Sequence, residues 1–160
     1  MPTPANAPLS MAERLDPTVH AALARSLGSL SHASALMATL DWALHLAASP
    51  GQRMDLAHLA LRQGQEMAAY ALARMAAGPD KEARHAVATP TQDRRFADPA
   101  WQQWPFNLLH QSFVLSEQWW AAATHGVWGV DKHHEDMVAF AARQFLDIFS
   151  PGNQVATNPV

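Results

Sequence analysis

The chain of 160 residues contains no cysteine. Disulfides, thiolate metal sites and a cysteine nucleophile are thereby excluded within these residues. An intracellular protein needs no disulfide framework. Charge is also scarce: 16% of residues, with a net charge of −3, so no broad nucleic-acid-binding face is expected. Apolar runs are short, because Asp41, His45, Arg53, Asp55 and Gln63 interrupt them, and none predicts a membrane span. Residues 1–10 are Pro/Ala-rich and uncharged and lack the apolar stretch of a secretory signal. No glycine-rich phosphate loop, no G-x-S-x-G elbow and no internal repeat occurs. Strand-like alternation never lasts long enough to build a sheet. A soluble cytoplasmic protein is the simplest expectation.

What remains is helix-forming material. Hydrophobic residues make up 49% of the chain, and alanine alone supplies about a fifth, which favours close helix packing. Residues 1–15 read as a disordered tail. Asp16-Pro17 is a helix start, and Gly28 ends that helix. Ser31 can cap a second helix to Ala48, with Leu36, Met37, Leu40, Leu44 and Ala47 at helical spacing. Ser49-Pro50-Gly51 breaks the chain, and a third helix follows from Gln52 to Ala76. Its stripe is Met54, Ala57, Leu61, Ala68, Leu72 and Met75, widened by Leu59, Met67 and Tyr70. The tight link predicts an antiparallel hairpin. Residues 78–92 are charged and poor in large apolar groups, as in a flexible linker. Beyond them, Asp98-Pro99 opens a helical turn, and Pro105 begins a helix to Thr124. After a Gly126–Gly129 turn, Asp131 caps a last helix to Phe149. The expectation is an all-α protein of two small lobes, 16–77 and 93–160: a helical hairpin, and an aromatic-rich helical domain.

Four tryptophans stand out as interface candidates: Trp104, Trp119, Trp120 and Trp128. Phe106, Leu109, Phe113 and Trp120 share one helical face, against which Val138, Phe145 and Phe149 can pack. An ordinary aromatic core explains most such stripes. Trp119 and Trp120 are adjacent, however, so their side chains diverge by about 100° and cannot both enter one narrow core. One of them should meet a lobe, a subunit, a catalytic domain or a granule surface. The nine histidines are scattered, and His133-His134-Glu135 lacks ligand spacing, so solvated histidines are expected rather than a metal or haem site. Asp136 and Asp147 are about three turns apart, too far for paired acid–base work. Asp93-Arg94-Arg95 could hold an anion, although a salt-bridged linker end explains it more simply. No catalytic, cofactor or metal residue is assigned.

Several fragments in a fixed order resemble one family. They are Asp93-Arg94-Arg95-Phe96-Ala97, Trp101, Asn107-Leu108-Leu109-His110-Gln111-Ser112, Arg143-Gln144-Phe145, Ser150-Pro151 and Thr157-Asn158-Pro159. Residues 31–61, above all 40–53, resemble a further segment of the same proteins. The likeness is to the N-terminal region of polyhydroxyalkanoate (poly-β-hydroxybutyrate) synthases. Gln154 stands where that family usually has Phe, and the Gly126–Asp131 turn lacks its leucine-led pattern. The resemblance implies a helical region joined, in the complete enzyme, to an α/β-hydrolase-type domain with a Cys nucleophile that moves hydroxyacyl groups from CoA thioesters to a polyester. It implies a non-catalytic role in dimerisation, catalytic-domain stabilisation or granule association. The implied partners are the synthase catalytic domain or the full-length synthase, a second copy, and the polyhydroxyalkanoate granule. A free-standing granule-binding or synthase-regulating protein is the alternative. Because acyl transfer in that family needs a thiolate, this chain alone should release no CoA from hydroxybutyryl-CoA above a buffer control in a thiol-release assay.

Overall fold

The computed structural model describes residues 32–77 and 95–160, together with residue 11, residues 15–19 and residue 21. Most of the expected tail, the Gly28 stop, the Ser31 cap and the 78–92 linker lie outside the described residues. Among the described residues every regular element is helical, so the chain is all-α.

Helix α1 (His32–Ala47) and helix α2 (Pro50–Ala77) are separated only by Ala48 and Ser49. Pro50 opens α2, where a missing N–H costs nothing. The Ser49 hydroxyl donates to the carbonyl of His45 at 2.7 Å and helps close the end of α1. A 3-10 turn, Pro99–Gln102, follows Asp98, whose carboxylate accepts from the Ala100 N–H at 2.8 Å. Helix α3 (Phe106–Thr124) and helix α4 (Lys132–Ile148) form the second hairpin. The chain reverses between them at Gly126 (φ 69) and Gly129 (φ 90), and Asp131 caps α4 by accepting from the His133 N–H at 2.8 Å. A second 3-10 turn, Pro151–Asn153, folds the tail back on the end of α4.

The hairpins pack on each other: α1 lies chiefly on α4, α2 on α3, and α3 on α4. One apolar core sits inside the second hairpin, where Phe96, Trp101 and Phe113 gather Phe106 and Leu146. The other lies between the hairpins, where Ala38 meets Met137 and Val138 with Trp42 alongside.

The faces differ from the sequence expectation. On α1 the stripe Leu36, Met37, Leu40 and Leu44 is exposed, and the opposite side, Ala38 and Trp42, packs inward. Fully buried Ala38 lets α1 approach α4 closely, and only that orientation brings the Trp42 indole to the end of α3. On α2, Met54, Leu61, Leu72 and Met75 are exposed while Leu56, Gln63 and Tyr70 are buried. Gln63 settles this orientation by donating to the carbonyl of Leu115 at 3.2 Å; buried polar groups need such a partner. On α4, Leu146 fills the Phe96–Phe113 core in place of Phe145 and Phe149. Those two rings are exposed and lie against each other, 4.7 Å between centroids. Val138 belongs to the core between the hairpins. No helix of the described residues is long and apolar enough to cross a membrane.

These orientations make a simple contrast. Ala38→Leu overpacks the α1–α4 contact and should cost about 1–3 kcal/mol, whereas Leu40→Gln on the exposed side should stay within about 0.5 kcal/mol. Urea denaturation followed by circular dichroism measures both.

Candidate docking surface

The last carbonyls of a helix have no partner within it. At the end of α3, Thr124 Oγ1 donates to the Trp120 carbonyl at 2.8 Å, and the His125 ring pairs with the Ala121 carbonyl at 2.8 Å. The Ala123 carbonyl is reached by the Trp42 indole N–H from α1 at 2.9 Å, and the His125 carbonyl by Gln52 from α2 at 3.2 Å. The first hairpin thus closes the end of a helix in the second.

Trp119 and Trp120 sit in this same contact. The Trp119 indole donates to the carbonyl of Leu56 at 3.2 Å, and Trp120 lies 6.5 Å from Trp42, ring centre to ring centre. Their own rings meet edge to face at 5.4 Å and 89°. Both are half-buried, so the diverging pair reaches the first hairpin with each ring. Ala123, beyond the pair on α3, is fully buried, whereas Ala121 and Ala122 are exposed.

A polar clasp lies beside it. Asp41 of α1 accepts from His134 Nδ1 of α4 at 2.7 Å and from the Asp131 N–H at 3.4 Å, and it pairs with His45 Nδ1 at 3.1 Å. The His134 hydrogen bond, reinforced by the Asp131 N–H, holds the Asp41 carboxyl below the ordinary carboxylate range despite partial desolvation. Gly129 is needed here twice over: its φ of 90 disfavours any side chain, and an added Cβ would run into the His45 ring. Sequence reading missed Asp41 because its partners lie on an element distant in the chain.

The other polar candidates are structural. Arg95 is shared between Glu117 at 2.8 Å and Asp147 at 3.2 Å, with its guanidinium over Phe96 and Phe113. It closes the second hairpin as an ion-paired residue; Asp93 and Arg94 lie outside the described residues. Lys132 bridges Glu135 and Asp136, each at 2.8 Å, and Glu135 also accepts from the Gly126 N–H at 2.7 Å. Lys132 and that N–H lower the Glu135 pKa. Asp136 and Asp147 therefore serve different ion pairs. Among the described residues no three His, Asp or Glu side chains converge as metal ligands. Asn107, His110, Gln111 and Ser150 are buried, and the His110 ring stacks on Phe96 at 4.4 Å. These residues build a core rather than line a cleft.

What is left open is aromatic. Trp104 is 66% exposed and Trp128 is 87% exposed, and Phe140, Phe145, Ile148 and Phe149 are exposed along α4. Because α3 and α4 are antiparallel, Trp104 and the Phe145–Phe149 pair share one end of the hairpin and Trp128 occupies the other.

Residues 92–160 match the family model described as "Poly-beta-hydroxybutyrate polymerase (PhaC) N-terminus", and residues 10–52 match the one described as "Poly-beta-hydroxybutyrate polymerase N terminal". Together they take in well over half of the chain. The chain belongs to the poly-beta-hydroxybutyrate polymerase family, in its N-terminal region. A poly(3-hydroxyalkanoate) polymerase of Methylorubrum extorquens is 38% identical over 74 residues, which is 46% of this chain and 12% of that relative. A poly(3-hydroxyalkanoate) polymerase subunit PhaC of Rhizobium meliloti is 34% identical over 68 residues, 42% of this chain and 11% of the relative. The chain therefore spans about one-ninth of the length of these curated relatives. No solved structure matches it.

Within this polymerase N-terminal region, the clasp joins the two matched segments, with Asp41 and His45 in one and Gly129, Asp131 and His134 in the other. The part of α2 beyond Gln52 belongs to neither. A carboxyl with a lowered pKa stabilises the fold above its unfolded value and loses that contribution as pH falls through the folded one. Melting temperature should therefore fall as pH drops through and below the ordinary carboxylate range. Asp41→Asn should lower it at pH 6, and the gap to the parent should narrow as pH falls below that range. Glu135 leaves a residual acid dependence in the variant.

Proposed function

We propose that this polymerase N-terminal region is a docking domain: it contributes no reacting group and packs against the catalytic remainder of a poly(3-hydroxyalkanoate) polymerase. The observation that carries this reading is the exposed group Phe145, Ile148 and Phe149 at the end of α4. Isolated apolar side chains on a surface are common, but three large ones together, with Trp104 at the same end, form a patch that marks a contact site. The absence of cysteine supports the non-catalytic role, in that the resembled enzymes use a Cys nucleophile. The relatives' printed names supply the polyester polymerase context. The setting of such a partner is the cytoplasm, at polyhydroxyalkanoate granules.

Trp128 favours a second contact of another kind. Its ring stands 87% exposed on a turn at the far end of the hairpin, away from the docking patch. An amphipathic ring so placed suits the boundary of a hydrophobic polyester granule, which is the role a free-standing granule-binding protein would also use.

The test pairs the 160-residue chain with a separately expressed polymerase lacking its matched N-terminal residues. Co-elution on size exclusion is expected, and Phe145→Ser with Phe149→Ser should weaken it roughly tenfold or more with circular dichroism unchanged. Trp128→Ser should leave that complex intact and reduce sedimentation with polyhydroxybutyrate particles. Failure of the parent chain to bind the polymerase remainder overturns the docking reading.

A further inference from the structure

Two apolar stripes of the same pitch lie close together in the chain, and both face outward. On α1, Leu36, Leu40 and Leu44 follow one another at intervals of four and are exposed, on the side opposite Ala38 and Trp42. Before α1, residue 11, residues 15–19 and residue 21 are helical, and there Met11, Leu15 and Val19 stand at the same interval, also exposed. Residues four apart fall on one face of a helix. Pro17 is on the far side of its helix from Leu15 and Val19, so its ring stays clear of their stripe. The family-matched segment 10–52 contains both stripes and ends in the first turn of α2.

We propose that residues 11–21 cover the outward face of α1 as an antiparallel helix of the same chain. Spacing and chain length together fix the register. Val19 falls opposite Leu40 and Leu15 opposite Leu44, with Met11 over Ala48 at the end of α1. The midpoint of that register lies between Ser29 and Leu30, inside the Gly28–Ser31 break that the sequence predicts. Sliding one helix by a turn in either direction carries the midpoint out of the break. Two helices joined by so few residues are held as antiparallel neighbours. A segment tethered this closely meets α1 at high effective concentration, which favours it over a second copy or a separate protein at the same face.

The arrangement makes the leucine face of α1 conditional. When the segment is released, α1 presents three leucines with Met37 beside them, a surface that fits the apolar side of another helix. The cover opens locally while the two hairpins stay folded, so urea unfolding of the hairpins is insensitive to it and to Leu40→Gln. It uses none of the four tryptophans and no residue of the Phe145–Phe149 patch, so it stands or falls apart from the docking reading.

Hydrogen exchange of the full chain, followed residue by residue by NMR, reads the contact from the side of the segment. Leu40→Gln with Leu44→Gln should speed exchange of the Val19 and Ala21 amides roughly tenfold or more, with the Phe113 and Val114 amides of α3 unchanged. The cysteine-free chain makes the register readable as well. Leu15→Cys with Leu44→Cys should close a disulfide within one molecule, at a rate independent of protein concentration. Leu15→Cys with Leu36→Cys should close roughly tenfold more slowly, since eight residues of helix displace the second position by about 12 Å. Segment exchange indifferent to the two α1 substitutions, disulfide closure only between copies, or equal closure rates for the two cysteine pairs would each overturn the proposal.

Discussion

The carbonyls left over at the end of α3 organise this structure. The unpaired carbonyls at a helix end must find donors, and here two of those donors come from another hairpin, through Trp42 and Gln52. The indole N–H can reach Ala123 only when α1 lies close against α4, which buried Ala38 permits. The Asp41–His134 hydrogen bond then falls into place on the same side of α1. Backbone satisfaction, helix approach and the polar clasp are thus one arrangement, and the two matched segments of the family are its two halves.

That arrangement explains which parts of the fold were legible in the sequence. Helix ends were, because they depend on local chemistry: Asp98 and Asp131 accept from amides two residues on, and the chain turns at Gly126 and Gly129, which take positive φ. Helix faces were not. Apolar residues ring α1 and α2 on both sides, and the choice between sides was made by Ala38, Trp42 and Gln63 through partners far along the chain. A small residue and a polar one outweighed rows of leucine and methionine, because close approach and hydrogen bonding act only once the second hairpin is present.

The candidate surface was legible to the same degree. The tryptophans were recognisable as boundary residues from their adjacency and amphipathic character. Their division into two that meet the first hairpin and two that face outward depends on which face of α3 lies under Leu56 and Trp42. Phe145 and Phe149 share helical spacing with the core, and nothing in that spacing shows that Leu146 takes the interior place.

The tail after α4 gives the domain a mechanical character. Asn153 and Gln154 donate to the carbonyls of Asp147 and Ile148, and Thr157 and Asn158 donate to those of Pro151 and Gly152, at 2.6–2.9 Å. Each bond spans six residues, so the four stitch the tail to the helix end in overlapping steps. The four bonds hold residues 153–158 against the turn and the end of α4. That helix is a rod of about 25 Å at 1.5 Å per residue, with the stitched tail at one end and His134 near the other. In mechanical terms it is a spar that joins the stitched tail to one of the bonds, Asp41–His134, that tie the first hairpin to the second.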